Sequence, residues 1–129
     1  MKRLIVDVQP GEYTVARLAP DAPVPAGLLD APGLVSVTRT PDELSIVCPA
    51  DHAPRSDTAQ PGWRLLTVRG PLEFTLTGIM AALSGELAAA GVSLFALSTY
   101  DTDHLLVKAG DLGRAVQALR ASGHEVTKP

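Results

Sequence analysis

The first fifty residues alternate between apolar and polar positions in short runs, a pattern typical of strands separated by turns. Residues 4–8 and 13–18 are rich in β-forming side chains, and Gln-Pro-Gly-Glu at 9–12 supplies turn chemistry between them, so this stretch predicts a hairpin. A second hairpin is predicted over residues 34–47, with its turn at Thr40-Pro41-Asp42. The prolines at positions 20, 23, 25 and 32 exclude a long helix between the two hairpins.

From residue 63 onward the apolar pattern predicts a strand followed by a helix. Residues 63–68 have the pattern of a buried strand that ends at Gly70-Pro71. Apolar residues then recur at helical spacing over residues 79–90. We expect this helix to start near Thr77, whose hydroxyl can accept a first-turn N–H, and to stop at Gly91.

The remaining residues predict a hairpin, a second helix and a last strand. The hairpin joins residues 92–99 to residues 104–108 through a polar tip, Tyr-Asp-Thr-Asp at 100–103. A helix bounded by Asp111 and Gly123 follows, and one short strand closes the chain.

The element order from residue 63 is therefore β-α-β-β-α-β, which is the ferredoxin-like split βαβ arrangement. It predicts an α+β fold in which an antiparallel sheet carries both helices on one face. We expect residues 1–50 to be a degenerate copy of the same unit, residues 51–62 to be a polar, Pro-rich linker, and residues 63–129 to be the complete domain.

An echo within the chain supports this division. Residues 38–47 overlay residues 98–107 without a gap, at an offset of 60 (98 − 38), and a small residue followed by Asp51 or Asp111 comes after each segment. A fixed offset indicates a duplicated unit. The first copy has lost helix length to its prolines, so we interpret it as the degenerate one.

Composition and charge exclude several classes of function. A net charge of −3 and a pI of about 5.5, without a cluster of Lys or Arg, argue against a nucleic-acid partner, which needs a basic face. Cys48 is the only cysteine, so no internal disulfide can form, and a reducing cytoplasm is the expected location. The apolar run at the start stops at Asp7, too short for a signal sequence, and no stretch approaches a membrane span.

The sequence contains no pattern typical of a catalytic or metal centre. The three histidines are dispersed, and none is spaced with Cys48 or with another histidine as metal ligands are. Ser98 and Thr99 lie on a predicted strand, and nothing in the sequence argues for a nucleophile–base pair, although the fold could bring a base close. Acylphosphatases have the same topology and need a positioned asparagine beside their phosphate-binding loop. The chain has no asparagine, which argues against that chemistry. We therefore expect no enzymatic activity, no metal and no cofactor.

Three segments of the second half resemble the ACT-domain proteins: Gly-Pro-Leu-Glu-Phe at 70–74, Thr-Gly-Ile at 77–79, and Ser-Thr-Tyr-Asp-Thr-Asp-His-Leu-Leu-Val at 98–107. The resemblance is to the branch of small bacterial proteins with paired ACT-like units, related to the cytosolic arginine sensors of animal cells. It covers residues 63–126 well and the first half weakly. It implies a βαββαβ regulatory fold that binds small molecules, often amino acids, at interfaces between ACT units.

The resemblance also implies which residues hold a ligand. In that branch the loop before the first helix and the acidic hairpin bind the amino and carboxylate groups, which by position gives Gly70, Thr77, Gly78, Ile79, Tyr100 and Asp103. The chemistry of these residues agrees with that role. A helix N-terminus presents unpaired N–H groups to a carboxylate, Gly78 lets a ligand approach the backbone closely, and Asp103 suits an ammonium group.

We expect a non-catalytic module that binds an amino acid or a similar metabolite and forms a homo-oligomer, because ACT-like sheets expose edges that commonly pair. The alternative is a structural or protein-interaction domain with the same fold and no ligand. Residues 77–79 are then only a helix cap, and Asp101 and Asp103 are ordinary turn residues. The two hypotheses differ in whether the loop at 70–79 and the tip at 100–103 meet at one cavity.

Overall fold

A computed structural model describes residues 3–72 and 78–129 of the chain. The chain divides into two compact units, of which one consists of residues 1–10 and 64–129 and the other of residues 11–63. We name the first the helical unit and the second the strand unit, and each is described by itself. The helical unit thus joins the N-terminal segment to the second half of the chain.

The described residues form eight strands and two α-helices. In chain order these are β1 (Ile5–Val8), β2 (Tyr13–Leu18), β3 (Ser36–Arg39), β4 (Leu44–Pro49), β5 (Gln60–Val68), α1 (Ile79–Ala89), β6 (Leu94–Ser98), β7 (Asp103–Lys108), α2 (Leu112–Ala121) and β8 (Glu125–Thr127). Short 3₁₀ helices lie at Leu28–Asp30, Ala50–His52 and Ala109–Asp111. No helix in the described ranges is long and apolar enough to cross a membrane.

In the helical unit the strands follow the order β6-β7-β5-β1-β8. β1 is antiparallel to β5 and parallel to β8, and β6 is antiparallel to β7. With α1 and α2 this is the ferredoxin-like α+β fold, so the predicted fold class is confirmed. The N-terminal strand β1 is an addition, inserted between the first and last strands of the βαββαβ order.

The predicted hairpin over residues 4–18 is wrong. β1 instead places Val6 opposite Val68 of β5 and opposite Val126 of β8. The Val6 side chain is completely buried, as expected of a strand with a neighbour on each side. The turn chemistry at 9–12 therefore marks the point at which the chain leaves the helical unit.

The core of the helical unit is aliphatic and lies between its strands and its two helices. Its buried side chains are Leu4, Val6, Val8, Leu66, Val68, Leu83, Leu87, Val92, Leu105, Val107, Ala115, Val116, Leu119 and Val126. Burial of each large member contributes roughly 1.5–3 kcal/mol to the free energy of unfolding. Side chains alternate along a strand, so Asp103 lies on the same face of β7 as the core residues Leu105 and Val107. This is the face that the helices cover.

α1 starts at a glycine and stops at a glycine. Gly78 is its N-cap, with a left-handed φ of 80°, and the helix begins at Ile79. The predicted hydroxyl cap at Thr77 lies outside the described residues. The predicted stop is confirmed, because Gly91 has a φ of 75° and its N–H donates to the Ala88 carbonyl at 3.0 Å.

In the strand unit the strands pair antiparallel in the order β3-β4-β2-β5. The predicted hairpin over residues 34–47 is confirmed as β3 and β4. Its turn is closed by the Thr40 N–H, which donates to the Glu43 carbonyl at 2.9 Å. The Thr40 hydroxyl oxygen in turn accepts the N–H groups of Asp42 and Glu43 at 3.1 and 3.2 Å.

The strand unit has a small core and no α-helix in residues 11–63, all of which the structure describes. A cluster of four buried side chains forms one face of it: Leu28, Leu44, Ile46 and Cys48. β5 begins at Gln60, inside the segment 51–62 that the sequence predicts as a linker.

Candidate functional site

A cleft of about 360 Å³ lies in the helical unit, where the start of α1 meets the β6–β7 hairpin. Its described lining residues are Leu72, Gly78, Ile79, Met80, Ala81, Ser98, Thr99, Tyr100, Asp101, Thr102 and Asp103. These include two carboxylates and no cationic side chain. The described ends of the loop before the helix, Leu72 and Gly78, therefore line the same cavity as the hairpin tip, which is the geometry that the ligand-binding hypothesis requires.

The first residues of α1, Ile79, Met80 and Ala81, line this cleft. The first N–H with a partner inside the helix is that of Ala82, which donates to the Gly78 carbonyl at 2.9 Å. The N–H groups of residues 79–81 precede it, and Gly78 has no side chain that could accept them. Together with the positive end of the helix dipole, these donors suit a carboxylate.

Asp103 supplies the opposite charge. It stands directly across from Ser98 in the β6–β7 hairpin, and the Ser98 hydroxyl donates to Asp103 Oδ1 at 2.5 Å. Asp103 is half-buried and lies on the side of β7 that faces the helices. A carboxylate held in this way keeps acceptor positions for an ammonium or guanidinium group.

The turn at residues 99–102 is tied to the loop that follows β5. The Thr99 N–H donates to the Thr102 carbonyl at 2.9 Å, and the Thr102 hydroxyl donates to the Val68 carbonyl at 2.5 Å. The Leu72 N–H donates to the Asp101 carbonyl at 2.7 Å. These bonds join the hairpin tip to the chain on the other side of the cleft.

Gly70 makes that close approach possible. A Cβ atom added at Gly70 would lie 3.0 Å from the Asp101 carbonyl oxygen and 3.1 Å from Thr102 Cβ. Such contacts are tighter than ordinary van der Waals distances, so a larger residue would push the tip away. Gly70 therefore supports the cleft through its lack of a side chain.

His104 lies beside the turn, between two threonine hydroxyls. Its Nδ1 is 3.1 Å from the Thr67 hydroxyl oxygen and its Nε2 is 3.2 Å from the Thr99 hydroxyl oxygen. Burial lowers the pKa of the His104 imidazole, and the neighbouring Asp103 charge opposes that shift without cancelling it. The imidazole is thus neutral at pH 7.

The structure brings most of the sequence-predicted site residues together. Gly78, Ile79, Tyr100 and Asp103 line the cleft, and the Tyr100 side chain is 80% exposed at its rim. Gly70 packs against the hairpin tip outside the lining. Thr77, the remaining predicted residue, lies outside the described residues.

Sequence reasoning missed the polar residues that shape the other wall, above all Ser98, Thr99 and Thr102. The resemblance includes Ser98 in its motif but assigns it no ligand contact, and the sequence favours a turn role for Asp101. The hairpin pattern contained a usable signal. A strand ending at Ser98 and another starting at Asp103 leave a four-residue turn, which places those two side chains opposite each other.

Metal binding has no support in the described ranges, where no three His, Cys, Asp or Glu side chains come together as a possible ligand set. A spatial nucleophile–base pair was left open by the sequence. Thr99 and His104 are adjacent, but the Thr99 hydroxyl also lies 3.2 Å from the Thr102 carbonyl, to which it donates. A hydroxyl has one hydrogen, so a Thr99 hydroxyl that donates to the Thr102 carbonyl accepts from His104, which is the opposite of the direction that a base needs.

The βαββαβ arrangement of the helical unit is the fold of the ACT class of domains. A family model for the ACT domain matches residues 58–121, and a model for an N-terminal domain family matches residues 11–56. The chain belongs to the ACT-domain proteins.

Among curated proteins, the chain is similar to the cytosolic arginine sensor for mTORC1, subunit 1, of Homo sapiens and of Bos taurus. The identity is 39% over 59 residues in both cases. The match covers 45% of this chain and 18% of the length of the sensor. The chain thus spans under a fifth of the curated relatives that it matches.

Among solved structures, the Agobacterium tumefaciens protein Atu0741 is similar over the whole chain, with 38% identity and a TM-score of 0.91, and the match covers 96% of that protein. Aspartate kinase from Synechocystis matches 96% of this chain and 27% of its own, with a TM-score of 0.66 and 18% identity. At that identity the second likeness shows the fold alone.

Proposed function

We propose that this protein is a non-catalytic regulatory ACT protein that binds an amino acid, or a similar zwitterion, in the cleft of its helical unit. The observation that carries the proposal is the pairing of opposite chemistries across one cavity. Backbone N–H groups at the start of α1 suit a carboxylate, and Asp103 suits an ammonium. The volume of the cleft, about 360 Å³, is at the small end of the range for ligand sites and is large enough for a single amino acid.

The ligand is expected to place its carboxylate at the N–H groups of residues 79–81, where Gly78 leaves the backbone open. Its amino group is expected to reach Asp103, which Ser98 holds in place. Tyr100 covers the rim of the cleft and Gly70 holds the hairpin tip close. A contribution from Thr77 remains a prediction.

The names of the relatives support the choice of ligand class. The similar animal proteins are called cytosolic arginine sensors, and the amino-acid screen should therefore begin with arginine. The same names support the proposal that this chain works in the cytoplasm.

The edge strand β6 supports the proposal of a homo-oligomer. β6 pairs with β7 in its sheet, and residues 92–100 contain no charged side chain and no proline. Edge strands are usually protected by such residues, so this edge suits pairing with a second copy of the chain. Sedimentation or native mass spectrometry of the purified protein measures the subunit count.

A thermal-shift screen followed by calorimetric titration with the twenty amino acids tests the ligand proposal. A ligand at about one hundred times its dissociation constant should raise the free energy of unfolding by about 2.7 kcal/mol. The variant Asp103→Asn should reduce the shift, and Asp42→Asn, an exposed carboxylate at the hairpin tip of the strand unit, should keep it. Failure of every amino acid to stabilise the wild-type protein contradicts the proposal.

A protein-interaction domain without a ligand is the second candidate, and the exposed Tyr100 favours it. Aromatic residues are enriched where proteins meet. In that case Tyr100→Ala should weaken a protein complex and leave every amino-acid titration flat.

A further inference from the structure

The hydrogen bonds around His104 have a defined direction. The Thr99 hydroxyl donates to the Thr102 carbonyl at 3.2 Å, and because it has a single hydrogen, its oxygen must accept from His104 Nε2 at 3.2 Å. Nε2 therefore carries the proton. Nδ1 is left as an acceptor, and the Thr67 hydroxyl donates to it at 3.1 Å.

This series of bonds connects β5 to the turn that lines the cleft. It starts at Thr67 on β5, passes through His104 at the start of β7, and ends at the carbonyl of Thr102. The same carbonyl accepts the Thr99 N–H at 2.9 Å, so the hydroxyl and the amide of Thr99 both bond within the turn. A donor at His104 Nε2 thus adds a third bond to Thr99, a residue that lines the cleft.

The surroundings of His104 favour a fixed neutral ring. Leu97 on β6 stands directly across from it and Thr67 on β5 lies beside it, and both are uncharged. The charged group that acts on the imidazole is its chain neighbour Asp103. Burial of the ring outweighs that carboxylate.

We propose that His104, as the Nε2–H tautomer held between Thr67 and Thr99, is a positioning residue that fixes the turn at 99–102 as a wall of the cleft. The effect of this positioning on ligand binding rests on the proposed function. The tautomer and the rigidity of the turn do not, and they can be measured on the unliganded protein.

Side-chain nitrogen NMR of the full chain at neutral pH gives the first test. We expect the shift of a protonated nitrogen at Nε2 and that of an unprotonated acceptor at Nδ1. The variant Thr67→Val should allow the other tautomer to appear. A proton on Nδ1 in the wild-type protein overturns the proposal.

Amide hydrogen exchange gives the second test, with variants that separate position from mere stability. In His104→Leu the exchange of the Thr99 amide should rise about fivefold, the factor expected for one lost hydrogen bond, while that of Leu105 in the core stays unchanged. His104→Gln, whose side-chain amide can donate at the place of Nε2, should restore protection. His52→Leu, an exposed histidine of the strand unit, is the matched control.

Calorimetric titration with the amino acid found in the screen separates this inference from the proposed function. Affinity should fall about fivefold in His104→Leu and recover in His104→Gln. If the wild-type protein binds no amino acid but the Thr99 amide still loosens in His104→Leu, the ligand proposal fails and the positioning role stands. If the wild-type protein binds and His104→Leu changes neither exchange nor affinity, the positioning role is wrong.

Discussion

Two hairpins of this chain, β3–β4 in the strand unit and β6–β7 in the helical unit, have turns of the same type. They differ in the side chains that they place at equivalent positions. Each turn has four residues and is closed by the N–H of a threonine, Thr40 in one and Thr99 in the other, donating to the carbonyl three residues on at 2.9 Å. The equivalent threonines lie 59 residues apart (99 − 40), so the gapless overlay at 60 residues is wrong by one.

The corrected offset shows why one hairpin forms a cleft wall and the other does not. It aligns Leu44 with Asp103, and Ile46 with Leu105. Ile46 and Leu105 are both core residues, so the two strands present the same face to their cores. At the position where the helical unit presents Asp103 to the cleft, the strand unit buries Leu44 completely.

The cross-strand partners differ in the same way. Ser98 donates to Asp103, whereas Arg39, its equivalent, stands opposite Leu44 and donates to the carbonyls of Pro20 and Ala22. One hairpin thus places a hydrogen-bonded polar pair at the cleft, and the other uses its polar residue to fix a proline-rich segment of its own chain.

The segments that follow the two hairpins differ in whether an α-helix forms. Both segments continue into a 3₁₀ helix that begins with alanine, at Ala50 and at Ala109. Leu112 then takes α-helical angles and starts α2, while Ala53 is extended, with ψ of 135°. Ala53 precedes Pro54, and a residue before proline avoids the helical region. Pro54 thus explains why no helix continues from Ala53.

The largest expected effect comes from placing a carboxylate in the strand unit at position 44, the equivalent of Asp103 in the helical unit. Leu44→Asp puts a carboxylate into a fully buried position without a partner, and we expect a loss of about 4 kcal/mol or more in the free energy of unfolding. Leu44→Met, of similar volume, should cost under about 1.5 kcal/mol. Urea denaturation measures both. Equal stability of the two variants would show that position 44 is not a core position.

The reverse exchange, Asp103→Leu, should leave the fold intact and weaken the proposed binding. A lost hydrogen bond to a charged group corresponds to about 1.5–3 kcal/mol, so affinity for the amino acid should fall about tenfold to a hundredfold. Calorimetric titration gives the affinity and thermal melting gives the stability. Asp42→Leu, in the exposed turn of the other hairpin, is the control and should bind as the wild type does. Unchanged affinity in Asp103→Leu would remove Asp103 from the site.

Gly70→Ala tests the close approach between Gly70 and the turn of the β6–β7 hairpin. The added methyl would meet the Asp101 carbonyl oxygen at 3.0 Å, and we expect a cost of about 1–3 kcal/mol together with a shift of the hairpin tip. Gly110→Ala, where the added carbon has open space, should be neutral or stabilising. Denaturation and the amide spectrum of residues 99–102 report the two effects. A Gly70→Ala protein with an unmoved tip would contradict this account of the cleft.

The smallest expected effect on stability comes from Asp7 of β1 and its hydrogen bonds to Arg69 and Thr127. Arg69 donates to Asp7 at 3.0 and 2.6 Å and Thr127 also donates to it, and these bonds hold the pKa of the Asp7 carboxyl below its ordinary 3.8. The folded state therefore binds fewer protons than the unfolded state, so this stability is present above about pH 4 and is lost as the pH falls through the folded pKa. The loss should be small because solvent screens the half-exposed Arg69.

Thermal melting of wild type and Asp7→Asn between about pH 5 and about pH 2 measures this contribution. The difference between the two proteins should shrink as the pH falls. Asp21→Asn, an exposed carboxylate of the strand unit, should show no such trend. A difference that stays constant over the whole range would show that the pKa of Asp7 does not carry it.

The sequence by itself determined the features that local patterns control. Apolar periodicity gave the βαββαβ order, Gly91 ended α1, and the turn residues located both hairpins. Because each of these depends on neighbours within a few residues, the pattern along the chain is enough to predict them. The polar tip at 100–103 was also visible as a candidate wall of a site.

Only the tertiary structure decided which distant segments meet. β1 pairs with β5 and β8, more than fifty residues away, although turn chemistry at 9–12 favoured its neighbour β2. The one-residue difference between the hairpins and the contact of His104 with Thr67 and Thr99 also depend on strand register. Register is set by which side chains fill a shared core, and a shift of one residue reverses every side chain, so a single strand's pattern does not reveal it.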